Sequence, residues 1–170
     1  MATGLFGKLP AHGDFVRRAL PRGFTDPWDD WLSRGMEAAR ASLGEDWAAA
    51  WDATPPWRFR LAPGACGPQA VMGVLVTSAD LVGRRFPLTL AAVLPAAALP
   101  APPEWYAALE EEALAARAGG LDADALAARL PPAPPDDPDA TLDGRSLFWS
   151  EGLAPRPMPA NFLSLLAVPA

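Results

Sequence analysis

Twenty-one prolines punctuate the 170 residues of this chain. Each one removes a backbone donor and biases the residue before it away from helical geometry, so the fold has to be assembled from short elements joined by loops. Two long uncharged stretches, Leu61 to Ala79 and Phe86 to Pro103, approach the ~20 apolar residues that a membrane-spanning helix needs. Pro63, Pro68, Pro87, Pro95, Pro100, Pro102 and Pro103 interrupt both. Core strands bounded by turns explain them better, and no membrane insertion is expected. Pro and Gly together stay below the ~25–30% that marks low complexity, and 51% of the residues are hydrophobic. The chain, residues 1–170, is thus expected to form one packed domain.

Charge narrows the function classes. The net charge is −6, with 10 basic and 9 acidic side chains in residues 1–100 against 4 and 11 in residues 101–170. Without a Lys/Arg stripe such a chain cannot replace counterions along a phosphate backbone, and no nucleic-acid partner is expected. A single Cys and a single His, Cys66 and His12, permit neither an internal disulfide nor a structural zinc site. Met1 to Gly13 shows no charged segment followed by an apolar one, so the expected location is cytoplasmic.

Local patterns place the elements. Gly4 to Leu9 reads as an opening strand stopped at Pro10. Thr25-Asp26-Pro27 has the order of a helix start, and Trp28, Trp31, Leu32, Gly35, Met36, Ala39 and Leu43 form a helical apolar stripe closed by Gly44. Glu45 to Asp52 is predicted as a second helix, broken by Pro55-Pro56. Trp57-Arg58-Phe59-Arg60-Leu61 alternates as a half-exposed strand with one basic face. The apolar run Ala70 to Thr77 suits a central strand covered on both faces, and Phe86 to Leu94 resumes as a strand. Between them, Ser78 or Asp80 is placed to cap a turn through Gly83-Arg84-Arg85. Helices are predicted over Glu104 to Ala118 and from the cap Asp122 to Leu130. Residues 131 to 140 read as a solvated connector, and Ser146 to Trp149 and Phe162 to Val168 as last strands, a helix fitting the second nearly as well. Loosely alternating strands and helices imply an α/β fold with a central mixed sheet and helices on its faces.

The chemistry-bearing residues form no evident catalytic set. Gly4-Leu-Phe-Gly7-Lys8 lacks both the earlier glycine and the following Ser/Thr of a phosphate loop. His12 and Asp14 are the elements of a base and its orienting carboxylate, but i, i+2 spacing in a loop does not aim one at the other, and Asp14 equally suits a bond to its own turn. Cys66 has no neighbour in sequence that would activate it, and a small buried thiol is the simpler role. Trp28 and Trp31 belong to the core by their helical spacing. Trp57, Arg58 and Arg60, with the turn pair Arg84 and Arg85, are the partner-facing candidates, because planar arginine forks suit carboxylates and phosphates. Solvated charge is the competing explanation for the arginines.

These residues resemble the TagF (ImpM) proteins associated with bacterial type VI secretion. The resemblance rests on Gly4-Leu-Phe-Gly-Lys8-Leu-Pro10, Gly13-Asp14-Phe15-Val16, Pro27-Trp28-Asp29, Trp31, Trp57-Arg58-Phe59, Pro63-Gly64, Cys66-Gly67, Val82-Gly83-Arg84-Arg85-Phe86-Pro87-Leu88 and Ser146-Leu-Phe-Trp149-Ser-Glu-Gly152. Phe148 stands where the family pattern has a Trp, and the tail after Gly152 matches poorly. The resemblance implies a three-layer α/β sandwich forming a single TagF-like domain. It also implies a cytoplasmic, non-catalytic accessory protein without cofactor or metal, which restrains secretion-system assembly after translation by binding a forkhead-associated (FHA) scaffold protein. Lys8, Asp14, Trp57, Arg58, Arg60, Arg84 and Arg85 are then the candidate contact residues. Two alternatives stay open: a nucleotide-binding or hydrolytic enzyme using the loop of Lys8, His12 and Asp14, and a structural component of the secretion apparatus.

Overall fold

Two paired seven-residue strands, buried on both faces and apolar at every position but Thr89, set the architecture. In the computed structural model, which describes residues 2–95, 102–135 and 144–166, the strands Ala70–Val76 (β4) and Leu88–Leu94 (β5) are buried at every position. They pair with each other at the centre of a seven-stranded sheet. A strand buried on both faces needs a layer of structure on each side. Helices Arg22–Leu43 (α1) and Trp47–Ala53 (α2) form one layer, and helices Pro103–Arg117 (α3) and Ala123–Arg129 (α4) the other. Val71, Leu75, Ala91 and Val93 point toward α1, whereas Met72, Val74, Leu88 and Leu90 point toward α3. The expected three-layer α/β sandwich stands.

The remaining strands are Thr3–Gly7 (β1), Val16–Arg18 (β2), Trp57–Leu61 (β3), Leu147–Trp149 (β6) and Arg156–Pro157 (β7), and the sheet order is β2-β1-β5-β4-β3-β6-β7. Every described pairing is antiparallel, which corrects the mixed sheet expected from sequence. The helices α1 and α2 carry the chain from β2 to the non-adjacent β3, and α3 and α4 carry it from β5 to the non-adjacent β6. Loops alone join the sequential neighbours, as antiparallel pairing allows. The sheet edges, β2 and β7, are three and two residues long, too short for a sequence period and short enough to blunt edge-to-edge pairing.

Helix α1 begins at Arg22, earlier than the Thr25-Asp26-Pro27 start. The Pro21 carbonyl accepts from the backbone N–H groups of Phe24 and Thr25 at 3.0 Å each, and Thr25 is buried rather than capping. Pro27 therefore lies inside the helix, where it leaves the Gly23 carbonyl without its i+4 donor. Gly67, at φ 102°, packs against that carbonyl, where any side chain would collide with it. The segment expected as a strand from Phe162 is a 3₁₀ turn, Phe162–Leu165, started by the Asn161 side chain accepting from Leu163 N–H at 3.0 Å. It lies on α1 at Gly35, where a Cβ would strike the Phe162 backbone. Residues 136–140 of the predicted connector and 167–168 of the predicted last strand fall outside the described residues.

Trp28 is the centre of the α1 layer. Its fully buried ring stacks with Trp31 at 5.1 Å and lies 4.8 Å from Phe59, and its Nε1 donates to Thr89 Oγ1 at 2.9 Å. Trp28→Ala should lower the unfolding free energy by about 3–5 kcal/mol, measured by urea denaturation. Trp28→Phe keeps a ring but orphans the Thr89 hydroxyl, at a cost of about 1–3 kcal/mol.

Candidate functional site

Two loops meet at the end of the sheet formed by the C-terminal ends of β1 and β4, and a single carboxylate ties them together. The first loop, residues 8–15, follows β1; the second, residues 77–87, joins β4 to β5. The Asp80 side chain is fully buried, and its Oδ1 accepts from the backbone N–H groups of Val82 at 3.1 Å and Arg84 at 2.9 Å. Its Oδ2 accepts from Arg84 Nε at 2.7 Å and lies 3.4 Å from Lys8 Nζ. Asp80 therefore caps the turn, as its position before Gly83-Arg84-Arg85 suggested, and also anchors the only lysine. Backbone contacts reinforce the join: Leu81 N–H donates to the His12 carbonyl at 2.8 Å, Ser78 Oγ to the Lys8 carbonyl at 2.8 Å, and Arg84 Nη2 to the Gly13 carbonyl.

The electrostatics of Asp80 follow from that geometry. Burial opposes its ionisation, but the Arg84 backbone N–H, the Arg84 guanidinium, the Val82 N–H and Lys8 outweigh it and hold the carboxyl at about 2, below its ordinary 3.8. The folded state thus binds fewer protons than the unfolded state between those values, so stability from this group is present above pH ~4 and lost as pH falls through ~2.

The platform presents an unusual surface. Phe15, Leu81 and Val82 are 46%, 67% and 69% exposed, although Leu81 and Val82 sit in a tight turn and Phe15 is braced by Phe86 at 4.7 Å and by Lys8 over its ring at 4.9 Å. Arg84 stands beside them with its side chain 62% exposed. A groove of about 440 Å³ opens on the other side of the same turn, lined by Pro10, Trp51, Asp52, Thr77, Ser78, Ala79, Gly83, Arg85 and Arg117.

The candidate contact residues divide accordingly. Arg84 and Arg85 lie on the platform and in the groove. Lys8 is 8% exposed, because Asp80 draws its ammonium inward. Asp14 Oδ1 accepts from Phe15 N–H at 2.7 Å, serving its own turn. Trp57 is buried in the core with Nε1 donating to the Leu165 carbonyl at 2.8 Å, so the side chain expected to reach a partner instead holds the 3₁₀ turn. Arg58 and Arg60 do not form a free basic face, since Glu110 and Tyr106 of α3 pack against β3. Arg58 forks onto Glu110 of α3 at 2.7 and 3.2 Å, and that hydrogen bond raises its pKa against the burial that would lower it. Arg60 on the same strand is partly buried.

Nor do Lys8, His12 and Asp14 form a working trio. His12 Nε2 accepts from Ala123 N–H at 3.0 Å, which caps α4 and requires that nitrogen to be unprotonated. No hydrogen bond or ion pair joins any two of the three. Sequence reasoning missed Phe15, Leu81, Val82 and Arg117; the signal available was two apolar residues inside a predicted turn, where solvated polar residues are the norm. Among the described residues no group of three His, Cys, Asp or Glu is placed to hold a metal, and no helix is long and apolar enough to cross a membrane.

An α/β fold of this kind is shared with a solved structure. The crystal structure of PA0076 from Pseudomonas aeruginosa PAO1 matches with a TM-score of 0.74 and 38% sequence identity, over 90% of this chain and 72% of that one. Residues 4–132 match the family described as the TagF N-terminal domain, type VI secretion system-associated, which defines the class as a type VI secretion-associated protein. The chain belongs to the TagF N-terminal domain family. No curated protein matches it.

Asp80→Asn should lower stability at pH 7 and flatten its pH dependence between about 4 and 2; urea titrations at a series of pH values check this, and equal acid slopes in the two proteins would remove Asp80 from the account. Burial pushes the Cys66 thiol up to about 11 and leaves it 4% exposed. A disulfide reagent such as Ellman's should therefore label it slowly at pH 8 in the folded protein and fully after denaturation.

Proposed function

We propose that this protein is a cytoplasmic, non-catalytic restraint on type VI secretion assembly that acts by docking on an FHA-domain scaffold protein. Membership of a type VI secretion-associated family supports the system. The observation that carries the docking mode is the rigid platform: exposed apolar side chains are costly unless they have a use, and here Phe15, Leu81 and Val82 are held out by an ion-pair and hydrogen-bond network. A preorganised apolar tip with an arginine beside it matches the make-up of interface hot spots, which lose little entropy on binding. Lys8 pairs with Asp80, His12 accepts from Ala123 N–H and Asp14 from Phe15 N–H, so each of the three has a separate structural bond, which favours this reading over the enzyme using Lys8, His12 and Asp14.

Deleting the protein should raise effector secretion from the intact system. Loss of secretion instead would favour the structural-component reading. Leu81→Ser with Val82→Ser, at exposed turn positions, should cut co-purification of the FHA scaffold at least tenfold with an unchanged thermal midpoint. Undiminished capture would take the platform out of the contact.

A further inference from the structure

We infer that the groove beside the platform is a binding site for an acidic segment of a protein partner, one of whose carboxylates sits between Arg85 and Arg117. The inference rests on the docking reading above and names the chemistry of what docks. Arg85 and Arg117 line the same groove from separate elements, one from the turn after Asp80 and the other from the last turn of α3. Their forks are largely unspent. Arg117 makes one long hydrogen bond, to the Thr77 carbonyl at 3.5 Å, and no described hydrogen bond or ion pair engages the Arg85 guanidinium. This is unlike Arg18, Arg58, Arg84 and Arg129, each of which holds a carboxylate within 2.8 Å.

The charge of the lining decides the sign of the ligand. Asp52 is its only carboxylate, and it is tied to neither arginine, so the groove is locally basic on a chain of net charge −6. Planar guanidinium forks take carboxylates two bonds at a time, and such charge-assisted bonds are about twice as strong as neutral ones. The walls are fixed before binding. Trp51 Nε1 donates to the Ser78 carbonyl at 3.2 Å, and Ala79 pairs with Arg85 across the turn. At about 440 Å³ the groove exceeds what a lone carboxylate fills and lies within the size range of ligand clefts. The surplus accommodates the flanking residues of a peptide, whose apolar side chains then reach Leu81 and Val82 on the rim of the same turn.

The test uses the full chain and a labelled twelve-residue peptide alternating Glu and Leu, with a Gln/Leu peptide as the neutral counterpart. Fluorescence anisotropy should show the acidic peptide binding at least tenfold more tightly, with affinity falling as salt rises. Amide chemical shifts should move at Ser78, Ala79, Gly83, Arg85 and Arg117. Arg85→Gln and Arg117→Gln together should abolish the preference; because both substitutions lie outside the Asp80 network, the thermal midpoint should hold. Equal binding of the two peptides, equal binding by the double variant, or shifts confined to other surfaces would overturn the site. The two proposals fail separately. Peptide binding without capture of the FHA scaffold sinks that partner and keeps the groove, whereas scaffold capture that depends on Leu81 and Val82 but not on Arg85 and Arg117 does the reverse.

Discussion

Burial of β4 and β5 on both faces is the constraint from which the rest of the structure follows. Two strands buried at every position, with Thr89 their one polar residue, cannot lie at an edge or face water, so the sheet must extend on either side and be covered above and below. That requirement explains why α1 is rich in Trp: one wide aromatic layer covers Phe59, Ala91 and Phe148 at once. It also explains why α3 contributes small residues and one Trp–Tyr pair, because the opposite face of the sheet already carries Met72, Leu88 and Leu90. The antiparallel order is the consequence of sending each helical pair across a whole face rather than between neighbouring strands.

At the end of that sheet one buried carboxylate gathers its polar partners locally. Asp80 is the one buried carboxylate in the loop cluster, and breaking such a group from its partners leaves a charge without solvation. Its bonds to Lys8, Val82 and Arg84 convert two loops into one rigid body. Rigidity there serves the proposed docking role, since loops ordinarily lose conformational entropy when a partner immobilises them. The Leu81-Val82 tip and the Arg85–Arg117 groove are two faces of a single turn, one apolar and one cationic, so a partner of mixed acidic and apolar character can engage both.

Much of the fold was legible in sequence. The α1 stripe, the alternation of β3, the apolar runs of β4 and β5, the Asp122 cap of α4 and the Gly44 stop all appear where periodicity and turn chemistry place them. The misses share a cause. Pro27 resembled a helix start because local sequence cannot show that Pro21 already supplies one and that Gly67 covers the carbonyl Pro27 frees. Strands β2 and β7 are too short to show a period, and the 3₁₀ turn at Phe162 is shaped by the groove that Gly35 opens on α1. At the site, the candidates Arg84 and Arg85 lie at an exposed turn, whereas Trp57, Arg58 and Lys8, named with them as contacts, are buried or paired: alternation reveals that β3 has a basic face without revealing that Glu110 of α3 meets it, and the residues around Lys8 do not reveal Asp80.

The sequence by itself determined the elements, the class of layered α/β fold and the family, because those depend on patterns within short windows and on blocks of residues in order. Only the tertiary structure decided which charges are spent and which are free. Lys8 and Arg84 meet Asp80, and Arg58 meets Glu110 across 52 positions of chain, whereas Arg85 and Arg117 share a groove in which no described carboxylate pairs with either. Ion pairing acts over a few ångströms in space, and separation along the chain carries no information about that distance.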